Sequence, residues 1–270
     1  MNLTGKLVVI TGAGSGIGRA TARAFAAASA RIAHCDVDRA RVDALARELG
    51  PSSVLARSVD VADRAQMADF AAAVHALAPA ADVVVNNAGV AIGGSFLETS
   101  LDDWDWLLGI NLRGVVHGCH FFARPMVERG TGGHIVNISS ILGIYPAPSV
   151  SAYVASKFAV LGLSRSLRAE LGEHRIGVTA ICPGMINTAI VDDGRMTGTL
   201  GGRKAKVSAA FKKGLPPERV AEAVLDAVRT NPAVRTVGTD ALVIRTLTRV
   251  APRVVDLLGT TLSRRFGAAD

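Results

Sequence analysis

Two residues in this 270-residue chain are spaced to handle a proton together. Tyr153 and Lys157 stand four apart in Ala152-Tyr153-Val154-Ala155-Ser156-Lys157. The segment from Ser151 to Leu171 has helical periodicity, and residues at i and i+4 of a helix share a face. A phenol has a reference pKa near ~10, so acting as a base near neutral pH needs roughly 4 kcal/mol of help. A nearby ammonium gives that help by favouring the phenolate. Taken alone, such a pair is more often surface decoration, so its meaning rests on its surroundings.

Thr11-Gly12-Ala13-Gly14-Ser15-Gly16-Ile17-Gly18 separates the first apolar run from the first helical pattern. Glycines at 12, 16 and 18 permit a tight turn and close backbone approach to a pyrophosphate at a helix N-terminus. The literal G-x-G-x-x-G pattern is not met, because Ile17 fills its last position. A lone glycine-rich turn reads equally well as a mere tight turn. The second apolar run ends in His34-Cys35-Asp36, which sets Asp36 18 residues after Gly18. An acid at that distance can accept hydrogen bonds from an adenosine ribose and repel a 2′-phosphate. Ser15, rather than Arg or Lys, fills the glycine turn. Both features favour NAD over NADP, while Arg39 and Arg41 leave NADP open. The plain alternative for Asp36 is a strand-end turn residue.

The elements that must position these groups alternate regularly. Strand candidates are Lys6–Thr11, Arg31–Asp36, Val54–Val59, Asp82–Asn87, His134–Ser139 and Ile176–Cys182, with Ala233–Gly238 as a last one. They are rich in Val and Ile on both faces, as buried parallel strands are. Helical patterns cover Ile17–Ala30 and Asp63–Ala78. This alternation predicts an α/β fold: a Rossmann-type doubly wound parallel sheet of about seven strands, helices on both faces, and a C-terminal helical extension. Neither a linker nor an internal repeat is evident, so residues 1–270 read as one domain. Residues 188–214 contain Gly194, Gly198, Gly201 and Gly202 and show little periodicity, and are expected to form a substrate lid. A helix is expected from about Pro216 to Thr230, and a helical tail over 239–265.

Composition excludes several classes. Hydrophobic residues make up 49% and charged residues 20%, too apolar for disorder. No run of about 18 apolar residues exists, so no spanning helix is expected. The first strand is expected to begin near Lys6, so no signal peptide is expected. Cys35, Cys119 and Cys182 are isolated and suit a reducing compartment, so the expected location is cytoplasmic. Formal net charge is +7: residues 1–202 hold 17 basic and 17 acidic side chains, and residues 203–270 hold 13 and 6. With aromatic content of 4%, stacking platforms are scarce and a nucleic-acid partner is not expected. His117 and His120 are read as packing or interface residues, so no metal is expected. Asp102, Asp103 and Asp105 are read as stabilising a helix N-terminus. Trp104 and Trp106 are read as anchors at that helix start or at a pocket rim.

Taken together, Thr11–Gly18, Asp60-Val61, Asn86-Asn87-Ala88-Gly89, Asn111, Ile138-Ser139-Ser140, Tyr153–Lys157 and Pro183-Gly184 resemble the short-chain dehydrogenase/reductase family. The resemblance covers nearly all of residues 5–190. It implies that Tyr153 is the acid/base and that Lys157 lowers its pKa and holds the nicotinamide ribose. It selects Ser140 over Ser139 as the group bonded to the substrate oxygen, because Ser140 lies 13 residues before Tyr153 and is followed by Ile141-Leu142-Gly143. Asn111 would hold a water linking Lys157 to solvent. Gly12, Ser15, Gly16, Ile17, Gly18 and Asp36 would hold the cofactor, with Asp60 and Val61 at its adenine. Asn87, Ala88 and Gly89 would line it, and Pro183, Gly184, Ile186 and Thr188 would hold the nicotinamide amide. NAD is the expected cofactor, with NADP the alternative.

The expected substrate side comprises Ser140, Ile141, Leu142, Tyr145, Pro146, Met185, Ile190, Val191 and Leu200. It is largely apolar and suggests a secondary alcohol or ketone on a steroid-, terpenoid- or lipid-like body. The alternatives are an NADP-dependent biosynthetic ketoreductase acting on an anionic or carrier-linked substrate, drawn by Arg203, Lys204, Lys206, Lys212 and Lys213, or a scaffold without turnover. Many family members close with a Gly-Gly motif that builds tetramers. Here some thirty further residues follow Gly238, with Arg245, Arg249 and Arg253 recurring every four positions. The expected assembly is therefore a homodimer through the helices holding Asn111 and Tyr153, or a homotetramer. The tail reads as docked helices or as a basic surface for a membrane or partner.

Overall fold

The chain is described by a computed structural model over residues 2–250. The Val/Ile-rich runs form strands β1 (Leu7–Thr11), β2 (Arg31–Asp36), β3 (Ser53–Ser58) and β4 (Val83–Asn86). After a short β5 (Ile92–Gly93) come β6 (Gly133–Ile138), β7 (Ile176–Pro183), β8 (Arg195–Met196) and β9 (Val234–Val237). Seven of them make one parallel sheet in the order β3-β2-β1-β4-β6-β7-β9. The strand order reverses between β1 and β4. In open α/β sheets a ligand crevice forms there, outside the strand C-termini.

The helices are α1 (Gly16–Ala27), α2 (Arg39–Leu49), α3 (Arg64–His75), α4 (Leu101–Leu108) and α5 (Gly114–Arg129). They continue as α6 (Ser151–Leu171), α7 (Gly198–Gly201), α8 (Lys204–Phe211), α9 (Pro217–Thr230) and α10 (Thr239–Val250). Successive strand side chains point to opposite faces, and the two cores follow from that. Val8, Ile10, Val83, Val85 and Val136 pack against Phe25, Leu45 and Val224 from α1, α2 and α9. Leu7, Val9, Val84 and Ile135 pack against Phe70, Phe122 and Val160 from α3, α5 and α6. Each such side chain, fully buried, contributes roughly 1.5–3 kcal/mol. The sheet is thus gripped from both sides, which holds its C-terminal edge rigid enough to carry a site.

Local chemistry sets the helix starts. Asp38 caps α2 by accepting from Arg41 N, and Asp63 caps α3 by accepting from Ala65 N and Gln66 N. Asp63, the first residue of the expected helical pattern, is therefore the cap itself. The cap of α4 is Ser100, with Asp102 and Asp103 behind it in the first turn.

Two segments differ from expectation. Residues 188–214 are not an aperiodic loop: they contain β8, α7 and α8. β8 pairs in parallel with β5, which pins the middle of the segment over the sheet edge. The two partners are about a hundred residues apart, beyond any local pattern. In the tail, α10 docks through Ala241 and through Arg245, whose Nη1 donates to Val234 O at 3.3 Å. Arg245 is thus tied to β9 instead of standing in water. The remainder of the expected tail, with Arg253, Val254, Leu257, Leu258 and Leu262, lies outside the described residues. Among the described residues no helix is long and apolar enough to cross a membrane. All three cysteines are buried and unpaired.

Candidate active site

The glycine turn lies at the end of β1 and faces β4. Gly12 and Gly16 have φ of +62° and +47°, a left-handed conformation that favours glycine. A side chain on Gly12 would stand 2.6 Å from Ala88 Cα, so the turn can sit this close only without one. Thr11 and Asn87 lock the arrangement. Thr11 Oγ1 accepts from Asn87 N at 3.1 Å and Ala88 N at 3.2 Å. Asn87 Nδ2 donates back to Thr11 O at 3.0 Å and Gly12 O at 2.9 Å. Ser15 precedes α1 and makes no side-chain cap, which leaves its hydroxyl on the cavity wall.

Asp36 closes the other side of this turn. Its Oδ2 accepts from Gly14 N at 2.9 Å and its Oδ1 from Asp38 N at 3.1 Å. Arg39 turns away to Asp43, at 2.9 Å, and does not line the cavity. Arg41 does line it, between Asp38 and Asp193.

Tyr153, Ser140 and Lys157 meet beside the turn. Ser140 leaves β6 as the cap of a 3-10 turn over Ile141–Gly143, and its Oγ accepts from Leu142 N at 3.1 Å. Ser140 also acts on the Tyr153 hydroxyl, favouring its phenolate. Ser139 points the other way and donates to Lys157 O at 2.8 Å. A side chain on Gly143 would meet the Lys157 carbonyl carbon at 2.9 Å. Glycine at that position is what lets the serine turn press onto α6.

Burial governs the ionisation here. It pushes the Tyr153 phenol up to about 12, against the downward pull of the Ser140 hydrogen bond. It pulls the Lys157 ammonium down to about 8. Lys157 Nζ lies 5.5 Å from the Tyr153 ring centroid and donates to Ile138 O at 3.1 Å. Desolvation is thus the dominant influence on both groups.

Asn111 is fully buried in a π-helical turn over Gly109–Arg113. Such turns recur at functional sites. Its amide clamps Val90, accepting from Val90 N at 2.8 Å and donating to Val90 O at 2.9 Å. It does not touch Lys157 directly. A side chain on Gly89 would fall 3.3 Å from Asn111 Oδ1 and 3.4 Å from Lys157 Nζ, so glycine keeps a gap between the two.

One cavity of about 760 Å³ joins these parts. It is lined by Gly12, Ser15, Gly16, Ile17, Asp36, Asp60, Val61, Asn87, Ala88 and Gly89, and by Pro183, Gly184, Ile186 and Thr188. Ser140, Tyr153, Lys157, Leu142, Met185 and Ile190 line it as well. Gly18 and Asn111 do not: each supports the wall from behind. Tyr145 and Pro146 were expected at the substrate end and are absent from it. Tyr145 N and Ile144 N both bond Ile141 O, which curls the chain back after Leu142 and carries Tyr145 past the opening.

Several wall residues carried no signal in the sequence. Met196, Val207 and Phe211 come from residues 188–214, while Trp106, on α4, was read as an anchor or a pocket-rim residue and lines the cavity. The Arg195 guanidinium stacks 3.9 Å over Trp106 and pairs with Asp103 at 2.8 Å, which anchors the lid to α4. Asp240, in the first turn of α10, accepts from Met185 N at 3.2 Å and also lines the cavity. Spacing cannot reveal a contact across 55 residues. His117 Nδ1 donates to Val61 O at 2.9 Å, a packing contact, and no group of three potential metal ligands occurs among the described residues.

A doubly wound parallel sheet with a glycine turn at its switch point defines a dinucleotide-binding class of protein. The comparisons carry this further. The family described as short chain dehydrogenase matches residues 6–197. A Mycobacterium tuberculosis protein named Probable oxidoreductase EphD is 41% identical over 258 residues, covering 92% of this chain and 44% of that protein. The chain thus spans under half the length of that relative. D-threitol dehydrogenase of Mycolicibacterium smegmatis is 42% identical over 190 residues, covering 70% of this chain and 73% of the relative. A short chain dehydrogenase/reductase from Burkholderia phymatum, solved in complex with NAD, superposes with a TM-score of 0.87 at 30% identity, covering 94% of this chain and 96% of that one. The chain belongs to the short-chain dehydrogenase/reductase family of oxidoreductases, whose members bind NAD or NADP.

Proposed function

We propose that this chain is an NAD-dependent dehydrogenase that interconverts a hydrophobic secondary alcohol and its ketone. The observation that carries the reading is the meeting of Ser140, Tyr153 and Lys157 in the same cavity as the glycine turn and Asp36. The turn fits a dinucleotide: Gly12, Ser15, Gly16 and Ile17 line the cavity, and side chains at Gly12 or Gly14 would collide with Ala88 Cα or Arg41 Cβ, each at 2.6 Å, so glycines give the turn its close-packed shape. The backbone N–H groups at the start of α1 would face a pyrophosphate. The Asp36 carboxylate would accept from the adenosine ribose, and its charge disfavours a 2′-phosphate. Lys157 would hold the second ribose, and Pro183, Gly184 and Thr188 the nicotinamide end. Bound there, NAD would exchange a hydride with the substrate carbon.

The chain's own residues handle the oxygen and its proton. Ser140 would donate to the substrate oxygen and fix it beside Tyr153. Tyr153 would take the alcohol proton in oxidation and return it in reduction. The phenol sits high, near 12, in the chain alone, so a positive charge arriving with the cofactor would favour its phenolate. The gap between Lys157 and Asn111 would hold the water through which that proton reaches solvent. The far wall favours an apolar body: Ile92, Trp106, Leu142, Met196, Leu200 and Phe211 line it. Lys204, once a candidate for an anionic group, is tied within the lid by bonds to Asp192 O and Gly194 O, both at 2.9 Å.

The test mixes the protein with NAD and a panel of hydrophobic secondary alcohols and follows reduced cofactor. Tyr153→Phe is expected to lose about 10²–10⁴-fold in turnover, the usual span for a general acid/base, while still binding cofactor. Equal turnover by both proteins would overturn the role given to Tyr153.

A further inference from the structure

The adenosine end of the cavity holds an ion pair that neither the glycine turn nor Asp36 requires. Arg41, on α2, and Asp193, in the lid, are 152 residues apart, yet Nη1 and Oδ2 lie 3.1 Å from each other. Arg41 Nε meets Asp38 Oδ2 at 3.3 Å. Both residues of the long-range pair line the cavity beside Asp36. Among the described lining residues the cations are Arg41 and Lys157, and Lys157 stands at the catalytic end. Arg41 is thus the one cation near the ribose that a 2′-phosphate could recruit. Its guanidinium recognises phosphate best when two parallel N–H groups are free to bind together. Here the Nε side is turned to Asp38 and an Nη to Asp193.

We propose that Asp193 is a cofactor-specificity residue: from the lid, it neutralises Arg41 and so strengthens the preference for a dinucleotide without a 2′-phosphate. This rests on the NAD reading and extends it. Asp36 acts against the phosphate by its own charge. Asp193 acts by withholding the compensating cation and by adding a third carboxylate to the same end. The pair also ties cofactor choice to the substrate side, because Asp193 lies between Ile190 and Val191, which line the cavity, and Met196, which does too. A change in the lid sequence would alter both.

The experiment measures dissociation constants for NADH and NADPH by nicotinamide fluorescence, with no turnover involved. Asp193→Asn keeps the shape of the side chain and removes its charge. It is expected to narrow the NADH-over-NADPH affinity ratio about 2- to 5-fold, the scale of a partly exposed ion pair. Adding Arg41→Gln to that variant is expected to restore the wild-type ratio, because the released cation is then gone. Equal weakening of both cofactors by Asp193→Asn would mean that Asp193 only fastens the lid, and would overturn the proposal. An unmoved ratio would do the same, as would a narrowed ratio that survives Arg41→Gln. A wild-type protein that prefers NADPH would refute the NAD reading separately, since the effect of Asp193→Asn on the ratio is still read. Binding of neither dinucleotide would refute both.

Discussion

The two ends of the cavity are built by opposite means. At the catalytic end, Lys157 and Asn111 are almost wholly out of water and are held by bonds to backbone oxygens and hydroxyls. At the adenosine end, Arg41, Asp38 and Asp193 keep roughly two-fifths or more of their side-chain surface exposed and are held by charge. The first arrangement perturbs ionisation and tolerates little error, because each unmet bond inside costs about 1–3 kcal/mol. The second costs little to build and little to change, because water screens it. The buried end is thus stiff, and the charged end can be altered cheaply.

This contrast can be broken by measurement. The largest expected effect is on the pH dependence of stability. Burial depresses the folded-state pKa of Lys157 to about 8, against 10.5 when unfolded. Between those values the unfolded chain binds more protons, so stability rises with pH across the window. The rise attributable to Lys157 is on the order of 3 kcal/mol, and Lys157→Met should abolish it in urea titrations at pH 7.5 and 10. A parallel profile in wild type and variant would mean that the lysine is better solvated than its burial implies.

Next in size is Asn111→Ala. It strands the Val90 N–H and C=O and should cost about 2 kcal/mol or more of unfolding free energy, read from denaturant midpoints. A loss below half that would show that the clamp is dispensable to the fold. The smallest effect is expected at the charged end. Asp193→Asn should change stability by less than about 1 kcal/mol, and 0.5 M salt should shrink that difference further. A larger loss there would erase the distinction between the two ends.

Much of this was legible in the sequence, and the limits have physical reasons. The strands of the main sheet were readable because Val and Ile on both faces mark a strand buried twice. The glycine turn and Asp36 were readable because backbone geometry forces residue types at fixed local spacings. Tyr153 and Lys157 were readable as a pair, but only the resemblance separated Ser140 from Ser139. In the structure both serines line the cavity, and Ser139 donates to the Lys157 carbonyl. The lid was misread because β8 is two residues long and exists through its pairing with β5. Tyr145 does not line the cavity, because the chain after Ser140 turns back on Ile141 O, a local bend that residue types alone do not announce. Asp193 and Asp240 were invisible because their partners are long-range, and a charged residue in a loop or a helix start looks the same whether or not it reaches across the molecule.

The three buried cysteines lend the molecule a built-in clock. Burial raises all three thiols, Cys119 to about 12 and Cys182 to about 11, so almost none of their thiolate exists at neutral pH. Cys35 sits on β2, Cys119 on α5, and Cys182 on β7 beneath the serine turn. A thiol-directed label can reach them only when the surrounding layer opens. The order in which the three sites are modified under native conditions would therefore rank how often the surroundings of β2, α5 and β7 come apart.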